Sequence, residues 1–507
     1  MAALKAFRSD FMSSDLIFTD DFEAYESRRL RYSIYWAMYE NTVFQDFHTW
    51  SVAMKAQHGL YRYIRNIYSP AYRLGEFWKT HLLGGALDLN AGDGKRTPSS
   101  LPIITANEDI RDGISSIWRN SNWQIKKDVL SLWGSVLGDV GIKIVDDTVK
   151  GKCYLKIIKP ADIESLILDD FGNVKEYVLS EVRDDPEGGN KKVTYREIAY
   201  RNGDNVIYET ELNGKLYDWD GDGLASWSVP YGFVPMVFIK HNDVGLDFGW
   251  SEMHANRSKF MEVDDLASKL SDHIRKEVDP PWLFSGVSKG ASTPKTTSGG
   301  GTTESPQKGR EEKPALYSSD PNASAQALVS NLNIADTSAH ILSVLEKLEK
   351  EYPELNISLD EIKGDLSGRA IQINREPAKD RVVQRRPNYD DAIVRAHMMA
   401  LSIGGYREHE EFSGISLESF GNGDLDHMIG NRPVFSKTIY DELEEDTEFW
   451  KSAKTASEAG VPLPVFLDMK GWEQEEIEKI TNSVEYKSKI AALKAMEEAA
   501  GFSYPEE

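Results

Sequence analysis

Cysteine is almost missing from this chain: a single residue, Cys153, stands among 507 positions. One thiol forms no intrachain disulfide and supplies no multi-cysteine zinc cage, so stability has to come from packing or assembly in a reducing compartment. Long apolar runs are lacking too. No segment approaches the roughly 18 apolar residues that read as a membrane span, so no membrane is expected among the partners. The segment Met1 to Asp10 breaks its one short apolar patch with a charge, which is not the layout of a secretory leader. Positive charge is in deficit, with 59 Lys and Arg against 82 Asp and Glu, a formal net charge of −23. Proteins that grip nucleic acid by neutralising phosphates show the opposite balance. An acidic surface is most often simply well solvated, although an acidic wall would also keep a DNA backbone from sticking.

Complete catalytic motifs are absent as well. Gly94-Lys95 suggests a phosphate loop, but that motif needs a glycine five positions earlier and Ser or Thr afterwards, where Leu89 and Arg96 stand. Asp218-Trp219-Asp220-Gly221-Asp222-Gly223 resembles half of a calcium loop, yet the twelfth position is Val229 rather than a bidentate Glu. A tight turn between strands is the better reading. His409-Glu410-Glu411 lacks the second histidine of a metalloprotease helix. There is no Gly-x-Ser-x-Gly elbow and no cysteine beside a plausible base. The chain is expected to need no cofactor and no metal, and not to be an enzyme.

What is present is a change of hydrophobic period along the chain, in an ordinary globular mix of 40% hydrophobic and 28% charged residues. At this length two to four structural regions are expected. To about residue 138 the pattern is helical and aromatic, with Leu30, Tyr32, Ile34, Tyr35 and Trp36 in one segment and a later helix from Trp118 to Gly138. From Gly141 to about Ile239 the period falls to two and turn residues punctuate it, as in an antiparallel β region. A long amphipathic helix is predicted over 251–278, stopped by Asp279-Pro280-Pro281. Trp282-Leu283-Phe284 reads as a short strand. Residues 288–313 are rich in Gly, Ser, Thr and Lys and are expected to be a flexible loop tip. A second long helix is predicted over 324–350, and a third over 368–404 that Pro377 and Pro387 should kink or break. The C-terminal part from about Tyr440 is helical and acidic. The basic cluster Arg369, Arg375, Lys379, Arg381, Arg385 and Arg386 stands out in this composition. Pairing with acids of a neighbouring subunit is favoured over phosphate contact.

Gly138–Ile144 with Leu155–Asp162, Phe233–Asn242 with Gly249–Glu252, Gly364–Ala370, and Ala459–Pro462 with Met469–Ile477, taken in that order, resemble the portal proteins of tailed bacteriophages. Gly138-Asp139-Val140-Gly141-Ile142-Lys143-Ile144 with Leu155-Lys156-Ile157-Ile158-Lys159-Pro160-Ala161-Asp162 is similar to the strand pair opening the portal wing. Phe233-Val234-Pro235-Met236-Val237-Phe238-Ile239-Lys240-His241-Asn242, then Gly249-Trp250-Ser251-Glu252, is similar to the strand-to-stem junction. Gly364-Asp365-Leu366-Ser367-Gly368-Arg369-Ala370 resembles the segment before the long kinked helix, and Ala459-Gly460-Val461-Pro462 with Met469-Lys470-Gly471-Trp472 resembles the helical turns after it.

The resemblance implies an α+β, portal-like fold. Residues 1–250 would form a wing, 251–278 and 324–350 two stem helices, and 279–323 a small clip. Residues 351–367 would form a tunnel loop, 368–404 the long kinked wing helix and 405–507 a helical crown. The clip loop is longer here than in the short clips of that family. It also implies a homo-oligomeric ring, twelve subunits in the family, at one capsid vertex of the virion, assembled in the host cytoplasm. Double-stranded DNA would pass through it. The large terminase subunit, the head–tail adaptor, and the major capsid and scaffolding proteins would be its partners. Asp360, Glu361, Lys363 and Asp365 would face the channel. Trp282, Phe284, Lys289, Lys295, Lys308 and Arg310 would serve clip docking. Arg375, Lys379, Arg385 and Arg386 would make intersubunit or phosphate contacts. The rival readings are another phage head–tail assembly component and a DNA-processing enzyme whose site carries no recognised motif.

Overall fold

The computed structural model describes residues 23–42, 70–87, 100–186, 188, 191–219, 221, 223–278, 282–285, 324–327, 333–355, 368–435, 439–472 and 474–499. The chain divides into two compact units, Met1–Val434 and Phe435–Glu507. The first is a mixed α+β body.

It opens with α1 (Tyr25–Tyr39) and α2 (Pro70–His81), followed by β1 (Ile103–Ile104), α3 (Glu108–Ser121) and α4 (Trp123–Leu137). Asn107 caps α3 by accepting the Asp109 N–H, and Asn122, left-handed at φ 51°, divides α3 from α4. The sequence shows one amphipathic run there; the structure turns it at Asn122 into two helices. Next come β2 (Asp139–Asp147), β3 (Lys152–Ile158), β4 (Ile163–Leu168), β5 (Val174–Asp184), β6 (Lys192–Asn202), β7 (Asn205–Leu212), β8 (Lys215–Leu216), β9 (Ser226–Val229) and β10 (Met236–Lys240). They form two antiparallel sheets: β10-β2-β3, and β4-β5-β6-β7-β8 with β9 also on β7. Alternation explains the second sheet. Val193, Tyr195, Glu197 and Ala199 of β6 are buried while Thr194, Arg196, Ile198 and Tyr200 between them are half-buried.

After β10 the chain forms α5 (Arg257–Val278), β11 (Trp282–Ser285), β12 (Ser324–Ala327), α6 (Ile334–Glu351) and the 39-residue α7 (Gly368–Tyr406). The predicted 251–278 helix begins only at Arg257, because Ser251 and Glu252 hydrogen-bond to the end of α4 instead. The second predicted helix begins at Ile334, not 324. Ser324–Ala327 pairs antiparallel with Trp282–Ser285, and Asn333 caps α6 through the Ala335 and Asp336 N–H groups. This is tertiary pairing overriding the helix preference of an alanine-containing segment. The long helix stays continuous through Pro377 and Pro387 rather than breaking. It lies against β2, β3 and β10, burying Val382, Tyr389, Ile393 and Ala396 with Trp78, Trp123, Leu130, Ile142 and Leu155 in the main core.

The helix pair α5–α6 is antiparallel. Phe260, near the start of α5, packs on Tyr352 just past the end of α6, with ring centroids 5.6 Å apart. Lys259 and Glu351 form an ion pair at the same level. At 1.5 Å per residue α5 spans roughly 33 Å. The strand pair β11–β12 stands at its far end, since it follows α5 and precedes α6.

The first unit closes with β13 (Met428–Ile429), paired to β1. The second unit is helical: α8 (Ile439–Glu458), α9 (Leu463–Met469), α10 (Gln474–Thr481) and α11 (Val484–Ala499). Phe449, Phe466 and Trp472 cluster in it, Phe449 stacking on Trp472 at 5.7 Å.

Candidate functional site: a buried polar joint at the root of the helix pair

The last carbonyls of α4 have no partner within their own helix. The segment that leads into α5 supplies partners. The Ser251 hydroxyl donates to the Val136 carbonyl at 2.7 Å, and the Glu252 N–H to the Ser135 carbonyl at 3.1 Å. Two glycines permit this approach. Gly138 has φ +103°, and a Cβ there would lie 2.6 Å from the Ser251 nitrogen. Gly134 sits inside α4, where glycine costs helix stability, yet a Cβ there would meet the Tyr389 hydroxyl at 1.9 Å.

That hydroxyl belongs to a buried relay. Tyr389 lies 2.7 Å from His241 Nδ1, and His241 Nε2 lies 3.1 Å from the Glu252 carboxylate. Arg385, one turn before Tyr389 on α7, donates to the same carboxylate at 3.0 Å. Burial depresses His241, which is therefore neutral near pH 7. Burial also opposes ionisation of Glu252, but the hydrogen bond from His241 and the Arg385 charge outweigh it, and the carboxylate stays ionised. The Trp78 ring of α2 meets His241 edge-on at 4.8 Å. The Glu252 carbonyl accepts from the Tyr352 hydroxyl at 2.7 Å, which brings in the end of α6.

Beside this relay Asp139, the first residue of β2, is fully buried. It accepts from the Gly249 N–H at 2.7 Å and from the Tyr32 hydroxyl of α1 at 2.8 Å. Burial pushes its carboxyl up to about 7, although both hydrogen bonds pull the other way. Tyr35 of α1 reaches His254 Nδ1 at 2.5 Å. Glu354, just after α6, is buried against Arg381 of α7 at 3.2 Å; burial pushes it up to about 7. Arg28 of α1 covers Phe248 at 3.7 Å and donates to the Ile163 and Glu164 carbonyls at the start of β4. α1, α2, α4, β2, the 241–254 segment, α6 and α7 thus meet in one polar joint where the helix pair leaves the body.

The joint is enclosed, with Tyr389, His241 and Asp139 buried at its centre. Its hydroxyl, imidazole and carboxylate groups face one another in the interior. One surface hollow of about 480 Å³ lies beside Asp109, Asp112, Glu410 and Glu411, and another of about 620 Å³ borders the joint at Asp247 and Phe248 and continues past Ile167 and Phe171. Among the described residues no group of three or more His, Cys, Asp or Glu could hold a metal ion. Asp218, in the half calcium loop, uses its carboxylate to accept the Gly221 and Gly223 N–H groups of its own turn.

Of the residues singled out from sequence, Arg385 belongs to the joint. Arg386 is buried and donates to the carbonyls of His81, Leu82, Arg432 and Pro433 at 2.6–3.2 Å, so its bonds are satisfied within the chain. Lys379 pairs with Glu376 at 2.9 Å on the exposed side of α7, and Arg375 is half-buried one turn earlier. Trp282 and Phe284 lie in β11, opposite Ala327 and Ala325. Asp360, Glu361, Lys363, Asp365, Lys289, Lys295, Lys308 and Arg310 lie outside the described residues. Sequence reasoning missed Tyr32, Asp139, His241, Glu252, Glu354 and Tyr389 as one constellation. The available signal was that Gly138-Asp139 and Gly249-Trp250-Ser251-Glu252 both stand in the stretches resembling a portal.

Neither a scan against protein-family models nor a search of curated proteins finds a match to this chain.

Proposed function

We propose that this chain is the subunit of a phage portal: a homo-oligomeric ring of about twelve copies at one capsid vertex, through which double-stranded DNA is packaged and ejected. The observation that carries the reading is the antiparallel helix pair α5–α6. It projects from a polar joint in an α/β body, carries the small β11–β12 pair at its far end, and is followed by the long helix α7 across the body's sheet. That order of parts matches stem, clip, stem and wing helix. In this reading residues 279–323 meet first the large terminase subunit and then the head–tail adaptor. Residues 351–367, with Asp360, Glu361, Lys363 and Asp365, face the channel, and 405–507 form the crown. The surplus of acids over bases favours a channel wall on which phosphates slide. The chain acts as a conduit and not as a catalyst, without cofactor. Heterologous contacts of this kind close when the rotation per subunit fits a whole circle.

Native mass measurement on the purified protein tests this. Twelve copies of the 57.1 kDa chain weigh about 685 kDa. A discrete species at or near that mass is expected. A stable monomer with nuclease or ATPase activity would replace the proposal with the enzymatic rival.

A further inference from the structure

Nothing in the sequence alone marks three rings, Trp118 of α3, His397 of α7 and His427 just before β13. They form a hydrogen-bond chain whose direction is fixed at both ends. An indole N–H only donates, and Trp118 Nε1 lies 2.9 Å from His397 Nε2, so that nitrogen is the acceptor. A carbonyl only accepts, and the Leu425 oxygen lies 2.8 Å from His427 Nδ1, so that nitrogen carries a hydrogen. A neutral His427 then has a bare Nε2, which receives the His397 Nδ1–H across 3.3 Å. The two imidazoles are stacked at 5.5 Å. Every ring nitrogen is used while both rings are neutral. A further proton on His397 Nε2 would face the indole N–H, and one on His427 Nε2 would face the His397 N–H.

His427 stands on the strap Leu425–Val434, the last stretch of the first unit. The strap is tied down beyond His427 as well. Met428 and Ile429 pair with β1, the Gly430 N–H donates to the Pro102 carbonyl at 2.7 Å, and Arg432 clasps Asp390 through two bonds of 2.7 and 2.8 Å. Arg386 holds the Arg432 and Pro433 carbonyls.

We propose that the Trp118–His397–His427 chain is an acid-operated latch on this strap: two neutral histidines keep it closed, and uptake of one proton by either ring opens it. The charges around the pair define its set point. The Leu425 carbonyl and Asp426, both on the strap itself, draw a proton toward His427, while His427 repels charge from His397. α3 contributes the neutral Trp118 indole, β1 contributes Ile103 and Ile104, and along α7 Asp390 is neutralised by Arg432. Burial holds both histidines below their ordinary range. The folded strap therefore binds fewer protons than the open one. Its stability is complete above about pH 6.5 and is lost as pH falls from there toward the depressed values of the pair. The latch operates in each subunit whether or not the subunits form a ring.

Hydrogen exchange of the full chain, followed by mass spectrometry on peptides covering 423–434, reads the latch directly. Exchange times at about pH 7.5 and 5 are scaled for intrinsic chemistry, and β5–β6 peptides serve as the internal control. The strap is expected to lose protection about tenfold or more at the lower pH while the control stays level. Two variants each remove part of the acid sensitivity. His427→Gln keeps an acceptor for His397 and a donor for Leu425 but takes no proton, so the strap opens only in stronger acid. Trp118→Phe removes the indole N–H that a proton on His397 Nε2 would face, so acid costs the closed strap less at that ring and the midpoint again moves to stronger acid. Equal strap protection in the wild type at both pH values overturns the proposal, as does a His427→Gln midpoint identical to wild type. If Trp118→Phe does not fold, His427→Gln decides alone, because a packing role predicts a looser strap at both pH values with no shift.

Discussion

Glu252 sets the character of the joint because it is an ionised carboxylate with almost no access to water, 8% exposed as a residue. Two side-chain partners, Arg385 and His241, make that tolerable. Removing one partner from such a pair leaves a buried charge uncompensated, which costs about 3–5 kcal/mol. Arg385→Ala is therefore expected to lower the unfolding free energy by about 3 kcal/mol in denaturant titration; a loss under about 1 kcal/mol, the range of exposed pairs, would mean that the joint is solvated. Asp139 makes a separate prediction with a definite sign. Its carboxyl is raised from an ordinary value of 3.8 to about 7, so the folded state keeps a proton that the unfolded chain has released. The stability this confers is complete below about pH 4 and is lost as pH rises through about 7. Asp139→Asn retains an acceptor for the Gly249 N–H and has no such dependence. The advantage of wild type over the variant should shrink steadily between pH 4 and pH 7 in parallel denaturation curves, and a constant difference would refute the assignment. Of these residues only Arg385 stands out in the sequence, and there as a candidate for intersubunit or phosphate contact rather than as a partner of Glu252. Arg385 and Glu252 are 133 positions apart, and His241 and Tyr389 are 148 apart. A lone polar residue carries no mark of the partner it meets after folding.

Elements were more legible than residues, for reasons that differ between them. β6 and β7 are marked by alternation because each has a buried face and a wetter one, whereas β2 and β10, buried at Asp139–Ile142 and Met236–Ile239, are marked by short apolar runs between turns. β4 goes unmarked because Ile163-Glu164-Ser165-Leu166-Ile167-Leu168 does not alternate in sequence, although its exposure alternates from Glu164 onward. The flanks of the helix pair were misread for tertiary reasons: Ser251 and Glu252 serve α4, and Ser324–Ala327 serves β11. α6 buries Ile341 and Leu348, while Leu342 is 53% exposed and Ile274 of α5 is 41% exposed. An apolar flank of that kind suits contact with a neighbouring copy. Leu342→Glu is expected to shift the purified protein at least severalfold toward monomer in light scattering while leaving its melting temperature within about 2 °C of the wild-type monomer, because exposed substitutions change stability by about 0.5 kcal/mol or less. An unchanged oligomer would remove α6 from the subunit contact.

On the scale of the whole molecule, an α+β body, a projecting helix pair, a long helix continuous through two prolines and a separate helical C-terminal unit are explained by packing in a chain with one cysteine. The order of these parts and the portal resemblance point the same way, and the joint gives the order a mechanical sense: it fixes the root of the helix pair to the body through seven segments. The central claim is that copies of this chain close around a channel. Class averages of purified particles in vitreous ice test it most directly. Rings of about twelve-fold symmetry are expected, with an opening of roughly 20 Å or more, wide enough for duplex DNA, and with the helix pair forming its wall. Compact particles without a central opening, or open filaments in place of closed rings, would contradict it.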